Sequence, residues 1–381
     1  MQDNLIKDNK GTAIRIIVGG YEVAGWDEAS FDSAIDIPAD AFSVTLFDPV
    51  YDHLPETVAA GKTFQAYYGK ELVMTGVVDR IAEAIGRKGR GLQISGRDLV
   101  GQLIDCSVPV FSGRQVTLEV LLNKYVKSGD LGSLFKNIEL QNNAWLKNNI
   151  SVEPGESLWD SIVKAAQVTG QHVWLKADGT LVVGDPFKSA KQLQSALSLM
   201  FDGDDNNMLD AQYAEDVSGV FGQIKILSQG SDAKSILSEA KSNTTYGYNR
   251  LKIVSLGDIE TKAEADTAIK KIKADNDLEA YSLTTNVVGW LIDGKVWQTG
   301  CYVNLQSDVL SRATAKWAIM GRTLELSRDA GQTTKLKLKR QGDWAQPLIN
   351  KEKQSKASMK KKKKDKAAKN VEKNQTAGAK K

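Results

Sequence analysis

Two cysteines and two histidines in 381 residues leave little material for several kinds of chemistry. Cys106 and Cys301 lie far apart and form no CxxC pair. A disulfide scaffold is therefore excluded as the organising principle, and a reducing compartment fits. His53, in "YDHLPE", and His172 have no companions at metal-ligand spacing, which argues against a zinc-type centre. No GxSxG elbow and no HExxH pair occurs, so the common nucleophilic and metalloprotease signatures are missing. No stretch approaches the roughly 20 apolar residues that a membrane-crossing helix needs. The opening "MQDNLIKDNKG" has no apolar h-region, which gives the expectation of no secretory signal and of assembly in the cytosol.

What is present is the composition of an ordinary globular chain, 41% hydrophobic and 25% charged, long enough for two or three domains. The net charge of +3 hides an uneven distribution. Residues 351–381 carry 13 lysines against Glu352, Asp365 and Glu372, a balance of +10 that leaves −7 on residues 1–350. An acidic body argues against a dedicated nucleic-acid-binding fold. The basic segment has almost nothing apolar to bury and is expected to be a disordered tail, either plainly solvated or in electrostatic contact with a polyanion or acidic partner.

Alternating and β-branched runs dominate from Thr12 to about Ser95: "TAIRIIVGG", "FSVTLFD" and "TFQAYYGKELVMTGVVDRIAEAI". Turns are expected at Gly69-Lys70 and in "GRKGRG". The period then changes. "DLVGQLIDC" reads as a short helix with Asp98 as N-cap, "VTLEVLLNKYVKSG" as a longer one, and "ESLWDSIVKAAQVTG" as a third. "HVWLKADGTLVVG" is a hairpin turning at Asp178-Gly179. "TKAEADTAIKKIKADNDLEA" is an amphipathic helix whose Thr261 and Glu264 have capping-box spacing. Strands resume from Tyr281, with a turn at Asp293-Gly294. The fold class that follows is mainly β with an α+β insert. The first strand region suggests a small barrel or sandwich. Helices and a hairpin make a compact α+β insert after it, and a second strand region precedes the basic tail at 347–381.

Several stretches invite a sharper reading. "GRKGRGLQISGRD" is rich in glycine and arginine, yet Gly86, Gly89 and Gly91 are followed by Leu92 and lie between two strands. A phosphate loop needs GxxxxGK[ST], or glycines between strand and helix. The stretch reads as a basic turn carrying Arg87, Lys88 and Arg90. Asp204-Asp205 in "DGDDNN" lack the later glutamate of a calcium loop. The eight tryptophans, at 26, 145, 159, 174, 290, 297, 317 and 344, are expected in cores and subunit interfaces rather than as a stacking platform. "SVEPGESLW" resembles the opening of a LysM peptidoglycan-binding module, with a Pro154-Gly155 turn, Ser157 or Glu156 as cap, and Leu158 and Trp159 buried. A hairpin follows where that module would place a second helix. No residue is assigned a catalytic, cofactor-binding or metal role.

The order of these pieces resembles the baseplate hub protein of Mu-like contractile-tailed phages and related prophages. "IRIIVGGYEVAGWDEASFDSAID", "GVVDRIAEAIGRKGRGLQISGRDLVGQLIDCSV", "ISVEPGESLWDSIVKAAQVTGQHVWLKADGTLVVGDP" and "DVLSRATAKWAIMGRTLELS" carry the resemblance over most of residues 10–345. "ISGRDLVGQLIDCS" is its most specific part. The resemblance implies a structural, non-enzymatic homotrimer in the tail baseplate of the virion. In that picture two similar small β-barrel domains, 1–107 and 205–346, flank a helix-helix-hairpin domain at 108–204. Two barrels per chain would make a pseudo-sixfold ring joining the sixfold tail tube to the threefold tail spike, with DNA passing through. The lysine tail has no counterpart in that picture. Rival expectations are a wall-binding tail protein using Pro154 to Trp159 and a tail-associated hydrolase.

Overall fold

The computed structural model describes residues 14–35, 37–47, 54–87, 89–109, 115–141, 149–168, 170–188, 190–203, 205–227, 236–241, 250–256, 259 and 261–340. His53, Lys88, Trp145, Asp204, Trp344 and the lysine-rich tail at 347–381 lie outside them.

The chain begins with seven strands: β1 (Ile14–Val18), β2 (Tyr21–Ala24), β3 (Glu28–Ala34), β4 (Ala41–Phe47), β5 (Thr63–Tyr68), β6 (Glu71–Gly86) and β7 (Gly89–Asp98). Alternation decides their faces: Ile14, Ile16 and Val18 are buried while Arg15 and Ile17 between them are not, as a half-buried antiparallel strand requires. The strands pair in the order β3-β4-β7-β6-β5-β1-β2. The turn at Gly69-Lys70 is where expected, with Gly69 at φ 59°. The "GRKGRG" turn pairs Gly86 with Gly89, and of its three glycines only Gly89 has positive φ (118°). Gly86 and Gly91 are not needed for the turn, since a Cβ at either would meet open space.

The middle of the chain opens with helix α1 (Val100–Asp105), β8 (Gln115–Thr117) and helix α2 (Leu118–Val120), which runs on as a π-helix over Leu121–Lys127. A single α-helix was expected over 116–129. Instead Thr117 stays extended and its Oγ1 accepts from Val120 N at 3.2 Å. The wider turns that follow, including Ser128 N to Asn123 O at 3.0 Å, keep Leu118, Leu121, Leu122 and Val126 buried together. Then come β9 (Asn137–Leu140), β10 (Asn149–Ser151), α3 (Leu158–Val168), β11 (His172–Leu175) and β12 (Thr180–Gly184), the last two turning at Asp178-Gly179.

The rest of the chain supplies β13 (Leu197–Leu199), β14 (Met208–Glu215), β15 (Gln223–Leu227), β16 (Ile236–Lys241), β17 (Leu251–Ser255), α4 (Lys262–Leu278), β18 (Tyr281–Val288), β19 (Leu291–Ile292), β20 (Lys295–Val296), β21 (Tyr302–Ser307), β22 (Ala315–Ser327) and β23 (Gly331–Lys339). Helix α4 carries the capping box read from the sequence: Thr261 Oγ1 accepts from Glu264 N and Glu264 Oε2 accepts from Thr261 N, each at 3.3 Å. Residues 223–278, counted with the last strand region on sequence, contribute β15, β16, β17 and α4 to the core of the insert. Ile224, Ile226, Ala265, Ala268 and Ile269 pack there with Leu121, Ile162 and Leu181. The apolar stripe of α4 packs on β15 and β16 and, across the same core, against α3.

The mainly β character is that expected, and the two strand regions are joined. Strand β22 pairs along its first half with β21 (Ala315 to Leu305 through Ala318 to Tyr302) and along its second half with β3 (Gly321 to Ala34 through Leu326 to Ala29). The result is one 13-stranded sheet, in which β13 runs parallel to β21. One core fills it, from Ile16, Phe31 and Phe64 of the first region to Trp290, Trp317 and Leu338 of the second. The stretch Trp317–Arg322 is buried without interruption, because the outer face of β22 is covered too: Ala318 and Met320 pack with Ile35 and Tyr302, and Leu278 of α4 lies against them.

Candidate functional site

The run "ISGRDLVGQLID" builds the corner where the first strand region meets the insert. Gly96 lets β7 approach β6 closely: a Cβ there would come within 2.2 Å of Val77 O and 2.9 Å of a Phe42 ring carbon. Arg97 then grips both sides of the corner. Its Nε and Nη2 donate to Asp79 of β6 at 2.8 and 3.2 Å, and its Nη1 and Nη2 to Asp105 of α1 at 3.2 and 2.7 Å. These carboxylates raise the guanidinium pKa further, and Arg97 in turn lowers that of Asp105. Asp98 turns inward and starts the helix, its Oδ1 accepting from Val100 N at 2.9 Å. The N-cap expected at Asp98 falls instead on Leu99, and Asp98, the last residue of β7, reaches past it to the first amide of the helix.

Inward of that corner lies a buried charged cluster at the β22–β3 seam. Arg322 is 6% exposed and donates to Val73 O at 3.2 Å and Phe31 O at 3.5 Å. Burial lowers its pKa to about 10, opposed by the charges of Asp40 and Asp32. Asp40 follows Ala39, which holds φ 60°, and Asp40 Oδ1 accepts from Ala34 N at 2.7 Å. Burial pushes the Asp40 carboxyl pKa up, with the Ala34 amide and Arg322 opposing it. Asp98 is pushed up as well, first by burial and then by the neighbouring Asp40 charge. The buried Asp98 and Arg322 and the half-buried Asp40 thus lie together where an isolated charge would be costly.

This cluster forms one wall of a cavity of about 530 Å³ between the sheet and the insert. Trp297, Cys301 and Lys191 belong to its strand side, and Trp174, Lys176 and Asp178 to the insert hairpin. The hairpin is tied to the sheet by Thr75 Oγ1, which donates to Ala177 O at 2.7 Å. Desolvation raises the Cys301 thiol pKa, so that group is held in its neutral form. Together these charged groups form a polar lock: Arg97 ties β6 to α1, while Arg322 and Asp40 bond backbone groups of β3 and β6 at the seam.

The other residues singled out on sequence lie apart from this cluster. In the "VEPGESLW" turn, Ser157 Oγ accepts from Asp160 N at 3.0 Å, and Leu158 N donates to Cys106 O at 2.7 Å. The turn is thereby pinned to the chain leaving α1, and Trp159, 9% exposed, is packed into the insert core rather than presented to a sugar. His172 faces Asp275 of α4 at 3.4 Å. Asp205 is exposed, and among the described residues no three His, Cys, Asp or Glu side chains group at metal-binding distance. Trp26, Trp290, Trp297 and Trp317 are core residues. Sequence reasoning missed Asp40 and Arg322. The signal for Arg322 was its phase: beyond the bulge at Ile319–Gly321 it alternates with Leu324 on the core face.

Two exposed features complete the description. The β6–β7 hairpin carries Ile85, 84% exposed, beside Arg87 at its turn. On the second strand region, the loop after β13 presents Phe201, 89% exposed, with Asp202 and Asp205 nearby.

Comparison with known families and structures places the whole arrangement. Residues 13–98 match the family "Mu phage baseplate assembly protein GpP-like, N-terminal". Residues 100–185 match "Baseplate hub protein gp44-like, second domain", and residues 275–342 match "Tail protein, C-terminal domain". The chain is 23% identical over 335 residues to the baseplate hub protein gp44 of Escherichia phage Mu, covering 84% of this chain and 85% of that one. The crystal structure of the tail protein from Neisseria meningitidis MC58 is 29% identical and superposes with a TM-score of 0.72 over 88% of this chain and 98% of its own. The 43 kDa tail protein of prophage MuSo2 from Shewanella oneidensis, 20% identical, has the same fold, with a TM-score of 0.70 over 86% and 98%.

Proposed function

We propose that this chain, which belongs with the baseplate hub proteins of Mu-like contractile-tailed phages, forms a threefold ring that adapts the sixfold tail tube to the threefold spike. It is a structural protein of the virion tail. The observation that carries the proposal is the pairing of β22 with β3. One chain presents two strand regions as a single rigid unit, so three chains around an axis set six such regions in a ring. In this reading the first region (14–98) and the second (197–215 with 281–340) alternate around the axis. The insert, with β15 to α4, lies at the periphery.

A ring of this kind leaves an axial path for DNA. The 13 lysines of residues 351–381 supply the positive charge that would contact DNA phosphates in this reading, through charge alone. The polar lock at the corner then has a mechanical purpose: the angle between neighbouring strand regions sets the curvature of the ring. The test is the mass of the full chain by light scattering over a range of concentrations, with image averages of the particles. A mass of three chains and a six-lobed ring are expected. A monomer at every concentration, both alone and with the spike protein, overturns the proposal.

A further inference from the structure

We propose that the β6–β7 hairpin tip of one copy seats on the Phe201 loop of the next copy, and that this contact closes the ring. The inference rests on the ring reading above and names the surfaces that make it.

Among the described residues, two large apolar side chains stand almost wholly in solvent, Ile85 at 84% and Phe201 at 89% exposed. Each has charged neighbours of one predominant sign. The turn beside Ile85 carries the exposed Arg87, with the half-buried Arg90 on the strand that leaves it and one exposed acid, Glu83, on the strand that enters it. Around Phe201 are the exposed Asp202, Asp205 and Asp308, and the Asp308 carboxylate accepts from Phe201 N at 2.8 Å. Val309, 53% exposed, extends the apolar surface beside that aspartate. An apolar residue rimmed by charge is the pattern of an interaction site rather than of scattered surface. Opposite signs on the two patches make them complementary to one another.

The two patches lie on different strand regions of one chain, Ile85 on the first and Phe201 on the second. A contact between unlike surfaces of identical copies is heterologous, and it produces a ring when the rotation closes. A tip-to-loop contact therefore brings the first region of one copy against the second region of the next. That is the alternation a six-lobed ring of three chains requires. Within each chain the same two regions are joined by the β22–β3 seam, so seam and contact alternate around the axis.

Two measurements on the full chain decide it. Ile85→Cys and Phe201→Cys proteins are mixed and oxidised. Cross-linking is expected in the mixture well above that in either protein alone, because the partners are unlike surfaces. Equal cross-linking in the separate samples, or none in the mixture, overturns the contact. In parallel, Arg87→Glu is expected to raise the concentration at which the trimer dissociates about tenfold, and Asp202→Lys to do the same. The double substitution restores it, with unchanged thermal melting showing that each variant is folded. If the unaltered chain forms trimers while neither the cross-link nor the charge reversal has an effect, the contact is wrong and the ring stands. If the unaltered chain is monomeric and the mixture does not cross-link, both readings fall.

Discussion

The backbone N–H of Asp98 donates to the carbonyl oxygen of Asp40 at 2.8 Å, which holds the buried Asp98 carboxyl and the half-buried Asp40 carboxyl in one another's company. Both have pKa values raised above the ordinary carboxylate range, each mainly by burial. The folded chain therefore binds more protons than the unfolded chain at pH values between the ordinary and the raised pKa. Stability falls as pH rises through that window.

Asp98→Asn removes one of these ionisations and keeps an oxygen to accept from Val100 N. At pH 8 this variant is expected to be more stable than the unaltered chain by about 2 kcal/mol. The difference should shrink as pH is lowered towards 4. Chemical denaturation at four or five pH values measures it. A constant difference across the range means that the carboxyl acts by packing and not by charge.

Arg97 bridges Asp79 and Asp105 at the corner, with all three side chains about a third exposed or more. Exposed pairs contribute little individually, and a double-mutant cycle between Arg97→Ala and Asp79→Ala is expected to give about 0.5–1 kcal/mol. The more telling readout is local. Amide exchange in α1 and at the base of the β6–β7 hairpin should accelerate in Arg97→Ala. In Arg97→Lys it should accelerate partly, because an ammonium cannot reproduce the fork.

Gly96 has no room for a side chain, since its Cβ would fall 2.2 Å from Val77 O. Gly96→Ala must therefore part β6 from β7 or shift the Phe42 ring. A loss of about 3 kcal/mol or more is expected. Gly91→Ala, on the same strand and facing open space, serves as the control and should cost under about 1 kcal/mol. Thermal melting of the two variants side by side makes the comparison.

The lysine-rich segment gives a prediction independent of the fold. The full chain should bind duplex DNA with an affinity that falls steeply with salt, about 0.9 in log–log slope for each phosphate neutralised. Removal of residues 351–381 should abolish both the binding and its slope. Retained binding in the shortened chain would point to the folded body, whose balance is −7 over residues 1–350, as the source.

Local features were legible in the sequence. Gly69-Lys70, Asp178-Gly179 and Asp293-Gly294 marked their turns, since each needs backbone that glycine adopts easily. Thr261 and Glu264 marked the start of α4 by spacing alone. Distant pairing was not legible. Arg322 and Phe31 are 291 residues apart, and no local period records which strand a buried strand will pair with. The place of α4 was hidden for a similar reason. Its apolar stripe says that it packs, and only the three-dimensional arrangement says that it packs on β15, β16 and α3 in the core of the insert. The corner was half visible: Asp98 marked the start of the helix one residue early, whereas its burial beside Asp40 depends on β4 and β7 lying together.

The seam between β22 and β3 also sets an order of events during synthesis. Strand β3 leaves the ribosome early, and its partner residues follow nearly 300 positions later. At a synthesis rate of roughly 5–20 residues per second, the wait is roughly 15–60 s. Throughout that interval the edge Ala29–Ala34 offers backbone donors and acceptors that its own chain cannot yet satisfy, and such an edge accepts any strand presented to it. Neighbouring ribosomes on one message carry the same open edge at staggered stages of completion. On the ring proposal above, a chain that joins identical copies is exposed to them before its own sheet is closed, and the pace of translation becomes part of how it reaches the correct partner.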